Sequence, residues 1–259
     1  MNKFVRLLVI LTCALIGFQA LAAKESFTGE LRDMATDKLL YKFLSETERN
    51  GDEWNFKSTY MYPDGKLAVV ESGTVKGSMV QVYEVDQQQT GEKAKVTVAD
   101  GKVTFSMTDS KGKTKESKED LDPKFVVGPT MSTVLRQEAN WAKLLKGEKV
   151  KLRFGVWHRK ETVGFRFYKN RDFEQDGKKL MNVVMNPTSW FIRQLVNDLT
   201  LTFDKETKKI ISIKGRVSPK KKDGDSWKDL DAVTYYSYEA VPAAAEEKKV
   251  ETQMDLGDE

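Results

Sequence analysis

The residues best equipped for chemistry lie between Lys149 and Lys169, in KVKLRFGVWHRKETVGFRFYK. The segment reads as a β-hairpin, and alternation of side chains along each strand sorts it into two faces. With Val156 opposite Val163, Phe154 faces Phe165 and Leu152 faces Phe167 on the side directed at a core. The same register sets Lys151 opposite Tyr168, Arg153 opposite Arg166, Gly155 opposite Gly164 and Trp157 opposite Thr162. Arginines paired across a ladder repel unless they share a carboxylate or bind an anion. Facing glycines let a sheet bend under a helix, or they floor a groove. Lys151, Arg153 and Arg166 are therefore candidates to hold an anionic head group, with Trp157 and Tyr168 as flat apolar walls. Such a site suits an amphiphile such as a lipid or an acylated chain.

Catalytic arrangements are scarce. His158, at the hairpin tip, is the single histidine, and Cys13 is the single cysteine. Zinc or haem ligation of the usual kinds lacks its ligands. No G-x-S-x-G elbow and no G-x-x-x-x-G-K-[ST] loop occurs. Paired carboxylates remain open, because acidic residues are abundant and their separation is a tertiary property. The expectation is a binding protein without enzymatic activity, cofactor or metal.

The chain around the hairpin is organised for export. Lys3 and Arg6, an apolar run from Leu7 to Phe18, and Ala20-Leu21-Ala22 form a signal peptide over residues 1–22. Its apolar run is shorter than the roughly 20 residues that span a bilayer. The product is expected to be periplasmic or secreted, with no cysteine to staple its core. The whole chain carries a formal net charge of +4. Removing the two signal cations and a tail from Glu239 to Glu259 of net −5 leaves a body near +7. Such a body suits an anionic ligand, an envelope partner or peripheral membrane contact, and export makes nucleic acid an implausible partner.

Residues 23–238 read as one β-rich domain and 239–259 as a disordered acidic tail. Phe27 to Asp120 alternates in short segments punctuated by Pro63-Asp64-Gly65 and Asp100-Gly101, the pattern of an antiparallel meander. Met131, Val134, Leu135, Trp141, Ala142 and Leu145 recur at helical spacing and predict one long amphipathic helix. Glu138 falls in that stripe, where it either reaches solvent or pairs with a hairpin arginine. Asn186-Pro187 predicts the start of a shorter helix through Val196. Two hairpin strands, Leu199–Phe203 and Ile210–Val217, precede a loop over Ser218–Asp229 and a last strand over Asp231–Tyr238. The fold class is mainly β (α+β): a curved antiparallel sheet or half-open barrel with one long and one short helix packed on it.

The stretches GPTMSTVLRQEANWAKLLKGEKVKLRFGV and MNPTSWFIRQLVNDLTLTFD resemble exported bacterial proteins in which helices are laid across a long antiparallel sheet. The architecture this implies is similar to that of the LolA/LolB-type periplasmic carriers, a curved half-barrel with a helical lid over an apolar cavity. The resemblance implies carriage of an amphiphilic or lipid-like ligand. An envelope protein-protein interaction or structural module is the alternative.

Overall fold

Turn chemistry sets the strand order. In the computed structural model, residues 23–193 and 197–239 are described. Residues 1–22, the expected signal peptide, and residues 240–259 of the expected tail lie outside them. The first half runs β1 (Ala23–Asp33), β2 (Leu39–Asn50), β3 (Glu53–Met61), β4 (Leu67–Lys76), β5 (Met79–Gln87), β6 (Glu92–Ala99), β7 (Lys102–Thr108) and β8 (Thr114–Asp120). Each strand pairs antiparallel with the next. Asp100 and Gly101 take φ of 50° and 69°, the mirror-image turn whose twist matches that of the flanking strands.

The short β9 (Phe125–Val126) leads into a 3-10 turn (Gly128–Thr130), α1 (Met131–Leu135) and α2 (Glu138–Leu145). Then come β10 (Val150–Val156), β11 (Glu161–Gln175), β12 (Lys178–Pro187), α3 (Trp190–Arg193), β13 (Leu199–Asp204), β14 (Ile210–Asp223) and β15 (Ser226–Ser237). All fifteen strands form one sheet, in the order β8-β7-β6-β5-β4-β3-β2-β1-β15-β14-β13-β12-β11-β10-β9. Pairing of β1 with β15 joins two meanders, and only β9 runs parallel to its neighbour. None of the described helices is long and apolar enough to cross a membrane.

The sheet is strongly curved. In a flat sheet β4 and β14, five strand spacings apart, would be separated by about 24 Å. Yet Ser218 Oγ of β14 donates to Glu71 Oε1 of β4 at 2.6 Å. The contact lies at a bulge between Val217 and Lys220, where Pro219 has no N–H for the ladder. The carbonyls freed there are taken up from the other half of the sheet. Gln87 donates to Ser218 O, and Tyr41 and Gln89 donate to Lys220 O. Near the two ends of the sheet order, Glu119 of the edge strand β8 accepts from the backbone N–H and the hydroxyl of Thr162 in β11. The result is a half-open barrel, in keeping with the expected fold class, and its strands follow the antiparallel meander that the alternation predicts.

Several local expectations need correction. The β10–β11 hairpin keeps its two faces but slips by two residues: Val150 faces Phe167, Lys151 faces Arg166, Arg153 faces Gly164 and Gly155 faces Thr162. A shift of two preserves every inward-pointing side chain, so the hydrophobic pattern cannot distinguish the registers. The turn decides. Lys160 takes φ of 55° and donates to Val156 O at 2.9 Å, which closes the loop one residue earlier.

The long helix is two. Gln137 is extended, at φ −56° and ψ 140°, and Asn140 Nδ2 donates to Val134 O, a side chain competing with the helical backbone. The Asn186-Pro187 helix start is also absent, since both residues complete β12 opposite Arg166 and Phe165. Among the described residues there, Trp190–Arg193 is helical, and the end of the expected helix, residues 194–196, lies outside them. Residues Ser218–Asp229 extend the β14–β15 hairpin instead of forming a loop. The first strand, β1, begins at Ala23, ahead of the alternation read from Phe27 onward.

The two glycines of the hairpin do not face each other, and no helix covers them. A Cβ on Gly155 would lie 2.8 and 2.9 Å from ring carbons of Phe125, while one on Gly164 would meet Thr188 Oγ1 at 2.6 Å. Phe125 is 1% exposed and has little room to withdraw. Gly155→Ala is therefore expected to destabilise the fold by about 1–3 kcal/mol, as overpacking does. The midpoint of urea unfolding measures it, and an unchanged midpoint would show that Phe125 gives way freely.

Candidate functional site

The curvature leaves two hydrophobic cores. One gathers Phe43, Phe56, Val69, Phe105 and Phe125 under the first meander. The other gathers Leu135, Trp141, Phe154, Phe167, Met181 and Phe203 between the helices and the second meander. Tyr236 of β15 packs against both. Along their seam lies a cavity of about 240 Å³, roofed by Pro129, Met131 and Ser132. Its walls come from Phe27, Phe43, Phe154, Met185, Leu199 and Ile213.

One part of this apolar cavity is polar. Ser45, Ser58 and Glu71 stand side by side on β2, β3 and β4, because the ladders place Ser45 opposite Ser58 and Ser58 opposite Glu71. All three are buried, Glu71 at 3% exposure. Tyr83 OH donates to Glu71 Oε1 at 3.1 Å and Ser218 Oγ donates to the same oxygen at 2.6 Å. Burial pushes the Glu71 carboxyl above its ordinary pKa, against these two hydrogen bonds, which pull it down. The Tyr60 and Tyr83 phenols are likewise driven well up, first by burial and then by the charge of Glu71. A neutral Glu71 carries a proton and can donate a hydrogen bond as well as accept one.

Arg216 is the single cation among the lining residues. Its Nε donates to Asp231 Oδ1 at 2.7 Å and its Nη1 donates to Asp229 Oδ2, so its charge is matched outside the cavity. No group of three or more metal-ligating side chains occurs among the described residues.

The hairpin residues expected to bind ligand lie on the ribbon face opposite Phe154. The structure brings Lys151, Arg153, Arg166 and Tyr168 onto one surface without the Arg153–Arg166 pair. Arg153 Nε donates to Thr162 Oγ1 at 2.8 Å, and that hydroxyl in turn donates to Glu119 Oε2 at 2.6 Å. Arg166 Nε donates to Asn186 Oδ1 at 2.6 Å, whose Nδ2 donates to Tyr168 OH at 3.3 Å. Lys151 is exposed. None of Lys151, Arg153 and Arg166 forms an ion pair among the described residues. Trp157 sits apart, in the turn, packed against the first core and edge-on to His158. Glu138 reaches solvent and pairs with Lys208 at 2.8 Å instead of with a hairpin arginine.

Sequence reasoning about the hairpin missed Glu71. The signal was present: Glu71 shares its parity along β4 with the buried Val69 and Val75. Ser58 likewise interrupts the inward row of Trp54, Phe56 and Tyr60.

No family model matches the chain, and no curated protein matches it. Among solved structures, a Vibrio parahaemolyticus protein domain named for outer membrane lipoprotein sorting is similar over 83% of this chain and 82% of its own. The identity is 8% and the TM-score 0.27, a superposition too loose to carry an argument.

Proposed function

We propose that the protein is an exported carrier that binds a single-chain amphiphile in the cavity between α1 and the sheet, without catalysing a reaction. The observation that carries this reading is the apolar cavity of about 240 Å³ with a short polar strip at its base. Its size sets the cargo. A dry cavity of about 150 Å³ accepts six-carbon benzene, so by proportion this one accepts about ten carbons. That is room for one short chain or the end of a longer one. The export signal read from the sequence supports a periplasmic or secreted setting.

A second reading places an anionic group on the outer hairpin face, favoured by the absence of ion pairs at Lys151, Arg153 and Arg166 among the described residues. One titration separates the two. The folded protein is titrated calorimetrically with 1-decanol, decanoate and decylamine, and its thermal unfolding is followed in parallel. At least one ligand is expected to bind and to stabilise the fold, by about 2.7 kcal/mol at a hundredfold excess over Kd. Ser132→Phe, which fills the cavity roof, is expected to abolish binding, and Arg153→Gln with Arg166→Gln to leave it intact. Binding lost only in the double arginine variant would favour the outer face. Three silent titrations of a folded protein would overturn cavity binding.

A further inference from the structure

The cavity's polar end is asymmetric in charge. Tyr83 and Ser218 both donate to Glu71 Oε1, which leaves Oε2 to meet a bound group. Ser45 and Ser58, each more than nine-tenths buried, line the cavity and have no hydrogen-bonded side-chain partner among the described residues. Among the described residues, Gln87 Oε1 is the one enclosed side-chain polar atom without a partner, so the two serine hydroxyls are open to the cavity space and free to meet a group placed there. The single lining cation, Arg216, is already engaged by Asp229 and Asp231. A carboxylate or phosphate entering head-first would thus meet a carboxyl group and no free positive charge, and it would lose its hydration without compensation. An alcohol would find both donors and acceptors.

From this arrangement we infer that the cavity takes its ligand head-inward and selects a neutral, hydroxyl-bearing head group over an anionic or a cationic one, with Glu71, Ser45 and Ser58 as the recognising residues. The inference rests on the cavity reading above. Glu71 would be the specificity residue, donating to or accepting from the ligand hydroxyl. Its burial works in the same direction, because desolvation shifts the carboxyl toward the neutral acid relative to its ordinary pKa. The ionisable groups that face it are the phenols of Tyr60, Tyr83 and Tyr236, all held protonated by burial, and Arg216 at the cavity wall.

Calorimetry at pH 7 with three ten-carbon ligands of equal chain length tests it. 1-Decanol is expected to bind at least about tenfold more tightly than decanoate or decylammonium, the worth of one buried hydrogen bond left unmade. Glu71→Met is expected to weaken decanol about tenfold, and Glu71→Gln, which still donates and accepts, less than about threefold. Ser58→Ala gives a milder loss in a variant that keeps Glu71, should the methionine variant not fold. Decanoate binding as tightly as decanol would overturn the inference while sparing the cavity reading. So would decylammonium binding tightest and losing its affinity in Glu71→Gln, or decanol binding unaltered in both Glu71→Met and Ser58→Ala. Failure of all three ligands would instead bring down the cavity reading itself.

Discussion

Phe203→Ala is expected to cost about 3–5 kcal/mol of stability, the usual loss when a buried phenylalanine is truncated. Phe203 is 0% exposed on β13, and its ring meets that of Trp141 edge to face, with centroids 5.5 Å apart. Trp141 and Leu144 are the buried residues of α2, a helix of only eight residues. Such a helix has little stability of its own and holds its place by tertiary packing. The substitution therefore removes both a core side chain and the main anchor of the segment that continues from the cavity roof. Urea unfolding should show the midpoint falling. Amide exchange should quicken in α2 well before it does in β1–β7. A loss below about 1 kcal/mol would mean that α2 is held by contacts other than the Trp141–Phe203 pair. If decanol binds in the cavity, the variant should also release it faster, since the roof is tethered through this helix.

Different parts of this molecule were legible in the sequence to different degrees, for physical reasons. Strand alternation is a local property, so the faces of β10 and β11, the turn at Asp100-Gly101 and the predominance of β structure could all be read directly. Register within a hairpin depends on how the turn closes. A two-residue slip leaves Leu152, Phe154 and Phe167 pointing inward, and that is why the Arg153–Arg166 pairing failed. The split between α1 and α2 escaped notice because the apolar spacing is consistent with an unbroken helix. The break lies in the backbone of Gln137 and in the side chain of Asn140. Hardest to foresee was the cavity. Glu71 and Ser218 are 147 residues apart in sequence and meet because the sheet curls one half over the other, beside the β14 bulge at Pro219. The hairpin drew attention by its visible charges, whereas the buried carboxyl stands in an ordinary-looking strand and betrays itself only by its parity.

That buried carboxyl yields the second large effect, a stability that falls as pH rises. Burial raises the pKa of Glu71 in the folded state above its value of roughly 4.3 in an unfolded chain. Below the unfolded value both states are protonated, and the contribution of the group to stability is fully present. As pH climbs, the unfolded state releases its proton first, so stability declines until the pH has passed through the raised folded value. The slope from this one group cannot exceed about 1.4 kcal/mol per pH unit. Glu71→Gln removes the titration while keeping an acceptor for Tyr83 and Ser218. The variant should therefore lie closest to the wild type below about pH 4 and become more stable relative to it as pH rises, the difference levelling off once the raised folded value is passed. Tyr60, Tyr83 and Tyr236 surround the carboxyl, and burial drives all three phenols upward, out of this window. Charges elsewhere, including Asp229 and Asp231 around Arg216, are common to both proteins and cancel in the difference. Denaturant unfolding at four or five pH values gives the two curves. Parallel curves would mean that Glu71 titrates like an exposed carboxyl, and that water reaches it through a cavity too wet to favour an alcohol over an anion.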